Sequence, residues 1–172
     1  MAEDEASLYL QATTMRTFAP VGQTPIVRVD PQRDKVSFYG TINLETGRVI
    51  AHRSPKMNAK VTAHHLRQIL DAIPDRDILL LWDRAPWHNG PAIRQILEQN
   101  PRLEIMLLPV AAPDMNPQEP VWKSTRRATS HNHIQKRLPD LANRFEHHLT
   151  STAFNCSLLY AYGFNTIRSR FT

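Results

Sequence analysis

The chain has 172 residues, of which 41% are hydrophobic, and it carries a formal net charge of +5. This length suits one domain with a sizeable buried core, and the hydrophobic fraction argues against global disorder. No apolar run approaches the roughly 20 residues that a transmembrane helix needs, and the acidic start MAEDEASLYL differs from a basic secretory signal. The single cysteine, Cys156, fits a reducing compartment, so the sequence predicts a cytoplasmic protein without a membrane partner.

Basic residues are concentrated toward the C-terminal end of the chain. Residues 1–119 hold 13 Lys and Arg against 14 Asp and Glu, whereas residues 120–172 hold 8 against 2. A basic segment beside a carboxylate-bearing segment favours a polyanionic partner, and nucleic acid is the first candidate. Many basic surfaces bind no specific partner, so the charge alone leaves the function open.

The first part of the chain predicts a strand, a hairpin and a helix. Residues 6–12 alternate loosely between apolar and polar side chains and predict a strand. KVSFYGTINL (35–44) and RVIAHR (48–53) flank the turn residues ETG, and this pattern predicts a β-hairpin. Residues 59–73 place apolar side chains at i, i+3, i+4 and i+7, which indicates an amphipathic helix.

The second part alternates strands with helices. The apolar run 78–82 predicts a buried strand, and a helix is expected to begin at Pro91, a favoured first helical residue. LEIMLLP (103–109) predicts a further buried strand. Asn116 is then expected to cap a helix whose first residue is Pro117.

A last helix is predicted over residues 139–150, and residues 151–172 are interpreted as a C-terminal tail of a single domain, 1–172. The order of elements gives three strands that can pair antiparallel, followed by two βα units whose strands should be parallel. This α/β arrangement is the ribonuclease H-like layout, a mixed five-stranded sheet flanked by helices. Fold alone does not establish function.

Three carboxylates fall where this layout brings separate elements together. The first strand is central and pairs with the fourth, so Asp4, ahead of the first apolar run, and Asp83, after strand 78–82, are expected side by side. Glu119 lies in the first turn of the helix after the fifth strand. Such a cluster repels itself unless cations neutralise it, and Mg²⁺ prefers hard oxygen ligands. Two such ions about 3.5–4 Å apart activate the attacking oxygen and stabilise the leaving one in phosphodiester chemistry.

Each carboxylate also has an ordinary interpretation. Asp83 can simply open a turn, and Asp4 can be one charge in a frayed acidic terminus. Glu119 would be favourable in the first turn of any helix because of the helix dipole.

The motif WDRAPWHNGPAI, followed after 35 intervening residues (84–118) by Glu119 in PDMNPQEPVWK, resembles the mariner-like DDE transposases of the bacterial insertion-sequence branch. AEDEASLYL and RTFAPVGQTP resemble that family's first catalytic strand and the loop after it. The resemblance implies that Asp4, Asp83 and Glu119 are catalytic ligands of two Mg²⁺ ions, for which Mn²⁺ can substitute. It also implies cleavage of DNA at transposon ends and transfer into target DNA, by a homodimer associated with the bacterial nucleoid.

The sequence also departs from that family. Arg84 stands where many relatives have Asn, no helix-turn-helix domain is found, and the position of Asp4 predicts a truncated first strand. A separately encoded helix-turn-helix segment is one expectation. Two alternatives stay open: a catalytically decayed remnant that only binds DNA or associates with other subunits, and another ribonuclease H-like nuclease.

Five further residues are candidates for DNA contact. Lys123, Arg126 and Arg127 extend along the predicted helix from its acidic first turn, where they would hold phosphates beside the cut. The alternative is a solvated helix with basic residues near its C-terminal end. Trp87 is a candidate for stacking on a nucleotide, and His88 either approaches the scissile phosphate or braces its loop.

The other aromatic and histidine residues are predicted to be structural. Trp82 and Trp122 are expected in the core rather than as stacking platforms. The adjacent pairs 64–65 and 147–148 cannot chelate one ion together, because neighbouring helical positions face different ways, and they are expected at the surface.

Overall fold

The computed structural model describes residues 1–26, 31, 33–110 and 112–154. Cys156 and the predicted tail from position 155 onward lie outside the described residues. In the described part of the chain, no helix is long and apolar enough to span a bilayer. The strands and α-helices of that part are β1 (Ala2–Tyr9), β2 (Lys35–Ile42), β3 (Val49–Ser54), α1 (Ala59–Ala72), β4 (Ile78–Trp82), α2 (Pro91–Gln99), β5 (Leu103–Leu107), α3 (Glu119–Thr129) and α4 (Leu138–Ser151).

The strands form one mixed sheet in the order β3-β2-β1-β4-β5. β1 pairs antiparallel with β2, and β2 pairs antiparallel with β3. β4 pairs in parallel with β1 on one side and with β5 on the other. The predicted α/β arrangement, three antiparallel strands followed by two parallel βα units, is therefore confirmed.

Helices cover both faces of the sheet. Successive side chains of a strand point to opposite faces, so the sheet contributes to two separate cores. Ala6 and Leu8 of β1 belong to the core that β1 and β2 share with α3 and α4. Leu80 of β4 belongs to a second core, shared with α1 and α2. Trp122 in the first core is 1% exposed and Trp82 in the second is 2% exposed, so the prediction that both are core residues is confirmed.

The first strand begins at Ala2, four residues earlier than predicted. It pairs with β2 residue by residue from Ala2 opposite Ile42 to Tyr9 opposite Lys35. The acidic residues at the start are thus part of the ladder, and the expectation that Asp4 lies ahead of the strand is wrong. Backbone hydrogen bonding to β2, which the local composition does not reveal, holds this polar stretch in the sheet.

Helix α3 begins at Glu119 with Gln118 as its N-cap residue, so the predicted start at Pro117 is wrong. The side chain of Asn116 contacts both the turn before α3 and the sheet. Its Oδ1 accepts a hydrogen bond from the Gln118 N–H at 3.0 Å, a bond typical of an N-cap side chain, and its Nδ2 donates to the Glu3 carbonyl of β1 at 2.9 Å. Asn116 therefore ties the turn before α3 to the central strand.

The expectation that His65 lies at the surface is also wrong. His64 is exposed, but His65 is 1% exposed and its Nε2 lies 2.8 Å from the Thr41 hydroxyl of β2. His65 falls three residues after Thr62 and four before Ile69, both of which are buried on the face of α1 that packs on the sheet. Burial lowers the pKa of His65 from 6.5 to about 3, and the neighbouring His52 acts in the same direction.

Acid is expected to destabilise the fold through His65. Because its pKa is lower in the folded chain than in the unfolded one, the unfolded chain binds the proton first, and stability is lost as pH falls from 6.5 toward 3. Between pH 7.5 and 5.5 the parent should lose about 1.4 kcal/mol more than His65→Gln in urea unfolding. His64→Gln, its exposed neighbour, should behave as the parent does. Parallel pH curves for the parent and His65→Gln would contradict this assignment.

Candidate active site

The parallel pairing of β1 with β4 brings two carboxylates to the same end of the sheet. The pairing aligns Ala2 with Leu81, and two residues further along each chain come Asp4 and Asp83. Asp4 is inside β1, whereas Asp83 directly follows the last residue of β4. Both line an open cleft of about 540 Å³ outside the carboxyl end of β4, where sites of open α/β sheets form.

The loop after β5 brings the third carboxylate to this cleft. Asn116 is held on the Glu3 carbonyl of β1, and its own carbonyl accepts the Glu119 N–H at 3.1 Å. Glu119 then opens α3 and lines the same cleft as Asp4 and Asp83. The structure thus brings the three predicted residues together, although they come from three separate segments of the chain. Their catalytic role stays a prediction.

The surroundings of Asp4 raise the pKa of its carboxyl group. Burial raises its pKa from 3.8 to about 7, and the negative charges of Glu5, Glu119 and Asp83 add to this effect. The Trp122 indole Nε1 donates to Oδ2 at 3.1 Å, and the backbone hydrogen bond from Glu5 acts to lower the pKa of Asp4. Carboxylates that disfavour one another's ionised forms in this way fit a divalent cation, since Mg²⁺ and Mn²⁺ prefer hard oxygen ligands.

Asp83 is held in one orientation by two donors on the same oxygen. Its Oδ1 accepts the Ala85 N–H at 2.9 Å and lies 2.9 Å from Nδ1 of His88. The hydrogen bond from His88 is the largest cause that keeps the pKa of Asp83 below its usual range. The side chain is 45% exposed, so the carboxylate stays ionised while it faces the cleft.

His88 joins β1 to the segment after β4. The ring is 6% exposed and stacks on Trp82 with centroids 4.2 Å apart. Its Nε2 lies 3.0 Å from Glu5 Oε1, so both ring nitrogens face carboxylates. Burial acts to lower the pKa of His88, but the hydrogen bonds with Asp83 and Glu5 outweigh it and raise the pKa to about 10. Of the two roles expected for His88, this geometry favours the brace over contact with DNA.

A family model of the DDE superfamily endonucleases matches residues 2–142, which is most of the chain. The chain belongs to this family. The matched residues include Asp4, Asp83 and Glu119 and the whole of the sheet. By sequence, no curated protein matches the chain.

Solved structures of Mos1 transposase share the fold of this DDE domain. The Mos1 paired-end complex with left transposon end is 17% identical, with a TM-score of 0.71 over 94% of this chain and 51% of that chain. The catalytic domain of Mos1 mariner transposase is 14% identical, with a TM-score of 0.65 over 94% of this chain and 75% of that chain. The DDE domain described here thus spans about half the length of the Mos1 chain in the DNA complex. At these identities the likeness shows the fold.

Sequence reasoning missed two acids of the DDE domain, Glu5, which lines the cleft beside Asp4, and Glu3, which is buried next to it. Glu5 accepts the Trp87 indole N–H at 2.7 Å in addition to its contact with His88. Glu3 is 1% exposed and accepts the Trp82 indole N–H; burial raises the pKa of Glu3 well above its ordinary value. In a strand AEDEA, the side chains alternate between the two faces, so Glu3 and Glu5 lie on the opposite face from Asp4. This pattern can be recognised only when the strand is known to begin at Ala2.

The residues predicted to contact DNA occupy different positions around the cleft. Arg126 lines the cleft and donates from Nη2 to the Ser7 carbonyl of β1 at 3.1 Å. Lys123 and Arg127 are exposed on α3 outside the lining of the cleft. Trp87 is half-buried and donates its indole N–H to Glu5, so its ring is held rather than free. Their contact with DNA stays a prediction.

Substitution of Gly40 is expected to disturb the site through Trp122. Gly40 pairs with Asp4 across β1 and β2, and a Cβ at this position would lie 2.5 Å from the Trp122 ring. Gly40→Ala should therefore destabilise the domain by about 1–3 kcal/mol in urea unfolding, because the ring that donates to Asp4 must move.

Gly22→Ala is the matched control for a glycine substitution. Its Cβ would meet nothing within 4 Å, but Gly22 has a φ of +82°, so the expected cost is the backbone strain alone. This strain amounts to about 1 kcal/mol. If the fluorescence of Trp122 and the stability of Gly40→Ala both match the parent, the tight contact at Gly40 does not constrain the site.

Proposed function

We propose that this chain is the catalytic domain of a transposase that uses divalent metal ions to cut DNA at transposon ends and join it to target DNA. The observation that carries the proposal is the gathering of Asp4, Asp83 and Glu119, from β1, the end of β4 and the start of α3, into one cleft of a DDE superfamily endonuclease. The Mos1 paired-end complex with left transposon end and the Mos1 Strand Transfer Complex support the choice of substrate.

In this proposal the three carboxylates hold two Mg²⁺ ions, with Mn²⁺ as a substitute. Mos1 paired-end complexes with Mg and with Mn support the choice of metal. When bound, the ions would stabilise the negative charge that develops on the attacking and leaving oxygens of the phosphodiester. The chain's own part is to hold the carboxylates in place: Trp122 orients Asp4, and His88 with the Ala85 N–H orients Asp83.

DNA is proposed to approach the cleft along α3. Arg126 lies in the cleft, and the exposed Lys123 and Arg127 extend the positive charge away from it on the same helix. Cationic side chains on both sides of a carboxylate site would counter the repulsion between the acids and the phosphate backbone. Trp87 can then serve as a stacking surface only through the face of its ring, because its N–H is bonded to Glu5.

The assembly is also part of the proposal. We place the domain in a homodimer that works with a helix-turn-helix segment encoded separately, on a bacterial insertion sequence in the nucleoid. The resemblance of the WDRAPWHNG and PDMNPQEPVWK motifs to the insertion-sequence branch supports this setting. The chain covers 51% of the Mos1 chain in the paired-end complex, so the full activity of a transposase is assigned here as a proposal only.

Removal of one carboxylate should abolish DNA cleavage. With Mg²⁺, the parent should nick DNA that carries the transposon end, and Asp83→Asn or Glu119→Gln should be slower by at least about 100-fold, since ion-mediated charge stabilisation contributes several kcal/mol. The measurement is the rate of nicking of a labelled duplex with and without EDTA.

Exposed acids elsewhere provide the controls for this assay. Asp75→Asn and Glu98→Gln remove the same charges at exposed positions outside the cleft lining and should retain the parent rate. A parent rate in Asp83→Asn would remove Asp83 from the mechanism. A parent that neither nicks DNA nor binds Mn²⁺ would favour the remnant alternative, and cleavage of RNA–DNA hybrids alone would favour another ribonuclease H-like nuclease.

The basic residues of α3 should contribute to affinity without sequence preference. Lys123→Ala and Arg127→Ala should each weaken DNA binding and reduce the slope of log affinity against log salt by about 1. Fluorescence anisotropy between 50 and 200 mM salt, a range in which phosphate contacts change affinity strongly, measures both quantities. Lys60→Ala and Arg94→Ala, exposed on α1 and α2, are the matched controls. Unchanged slopes in the α3 variants would place the DNA elsewhere.

A further inference from the structure

Glu3 and Glu5 lie on the opposite face of β1 from Asp4 and have no role in the proposed chemistry. Glu5 is nevertheless connected to Asp83 through the His88 ring. Glu5 Oε1 lies 3.0 Å from Nε2 of His88, and Nδ1 of the same ring lies 2.9 Å from Oδ1 of Asp83. A single imidazole thus links a residue of the central strand to the carboxylate that follows the adjacent strand. Because the ring is rigid, Glu5 helps to set the position of the nitrogen that contacts the Asp83 oxygen, and the Asp83 carbonyl, 3.2 Å from Nδ1, is a further partner of the ring.

The surroundings of His88 leave this ring little freedom. One face stacks on Trp82, with centroids 4.2 Å apart, and the Trp87 ring lies edge-on to it at 6.3 Å. Glu5 is fixed in turn, because the Trp87 indole N–H donates to the same oxygen, Oε1, at 2.7 Å. Glu3 lies farther from the ring, with Oε2 3.7 Å from Nε2, which exceeds hydrogen-bond distance.

The two oxygens of Asp83 are consequently in different situations. Oδ1 has both the His88 ring and the Ala85 N–H as donors. Among the residues that the structure describes, the hydrogen bonds given for Asp83 through its side chain all involve Oδ1. Oδ2 is therefore the oxygen left for a ligand in the cleft, and rotation of the carboxylate would break two hydrogen bonds at once.

We propose that Glu5, acting through His88, is a positioning residue that keeps Oδ1 of Asp83 turned into the protein and presents Oδ2 alone to a divalent cation. This inference rests on the proposed function, because it concerns the same cleft. Partners of metal ligands in other proteins typically contribute 10- to 100-fold to metal affinity or activity. Glu5 would then matter to the site although it does not touch the cation.

The test is a double-mutant cycle on Mn²⁺ affinity in the full chain, measured by isothermal titration. Glu5→Gln should weaken Mn²⁺ binding by about 10-fold or more, with a melting temperature close to that of the parent. His88→Gln should show a similar loss, and the double variant should lose no more than the larger single loss, because Glu5 acts through His88. Glu3→Gln, on the same face of β1 but beyond hydrogen-bond distance of His88, should bind Mn²⁺ as the parent does.

A second measurement does not depend on metal. In the metal-free chain, ¹⁵N NMR of the His88 ring should show that Nδ1 keeps a hydrogen-bonded proton in the parent and in Glu3→Gln and loses it to solvent exchange in Glu5→Gln. An unchanged Nδ1 signal in Glu5→Gln, or additive losses of Mn²⁺ affinity in the cycle, would overturn the positioning role. A parent that binds no Mn²⁺ but shows the expected NMR change would instead sink the proposed function and leave the positioning of Asp83 standing.

Discussion

The parallel contact between β1 and β4 is the constraint on which the rest of this molecule depends. It joins the antiparallel half of the sheet to the βα half, and it aligns Ala2 with Leu81 so that Asp4 and Asp83 follow at the same end. Residues 79 positions apart in the sequence become neighbours through this pairing alone. Asn116 binds the Glu3 carbonyl of the same strand and so attaches the loop that leads to Glu119. The positions of Asp4, Asp83 and Glu119 therefore all depend on contacts with β1.

Electrostatic repulsion opposes this arrangement. Burial is the largest cause that raises the pKa of Asp4 to about 7, and the nearby charges of Glu5, Glu119 and Asp83 raise it further. The fold offsets part of the cost of this repulsion with hydrogen-bond donors: the Trp122 indole at Asp4, and the His88 ring, whose pKa is raised to about 10, and the Ala85 N–H at Asp83. Sites that bind cations or perform acid–base chemistry typically hold groups with such perturbed pKa values. The repulsion between the carboxylates is therefore evidence for a cation-binding or acid–base site, and the donors around them offset part of its cost to folding.

The strands and helices and their order could be predicted from the sequence, because the hairpin, the helix at 59–73 and the strand at 78–82 carry strong local patterns. The proximity of Asp4, Asp83 and Glu119 could also be predicted, because the order of the strands and helices indicates the topology of the sheet. Prediction from the sequence failed where a tertiary contact overrode a local signal. The polar start of β1 is a strand because β2 pairs with it. Asn116 makes a cap-type bond to the Gln118 N–H and also binds β1, and α3 begins at Glu119, two residues later than predicted.

The supporting residues could not be predicted for a related reason. The buried His65 of α1 contacts the Thr41 hydroxyl of β2, 24 positions away, and the link from Glu5 to His88 joins residues 83 positions apart. Neither contact leaves a periodic trace in the sequence. Local patterns report which face of an element is apolar, whereas a buried polar group is placed by its partner.

The alternation of β1 explains how one short strand serves two purposes. Asp4 points to the face covered by α3 and α4, where it meets Trp122, whereas Glu3 and Glu5 point to the face covered by α1 and α2, where they meet Trp82 and His88. A shift of one residue in the pairing with β2 would exchange these faces and separate Asp4 from Trp122 and Glu5 from His88. The register is held by the apolar residues Ala6 and Leu8, which belong to the α3–α4 core. The packing of these two apolar side chains thus helps to determine which of the three consecutive acids meets Trp122 and which meet Trp82 and His88.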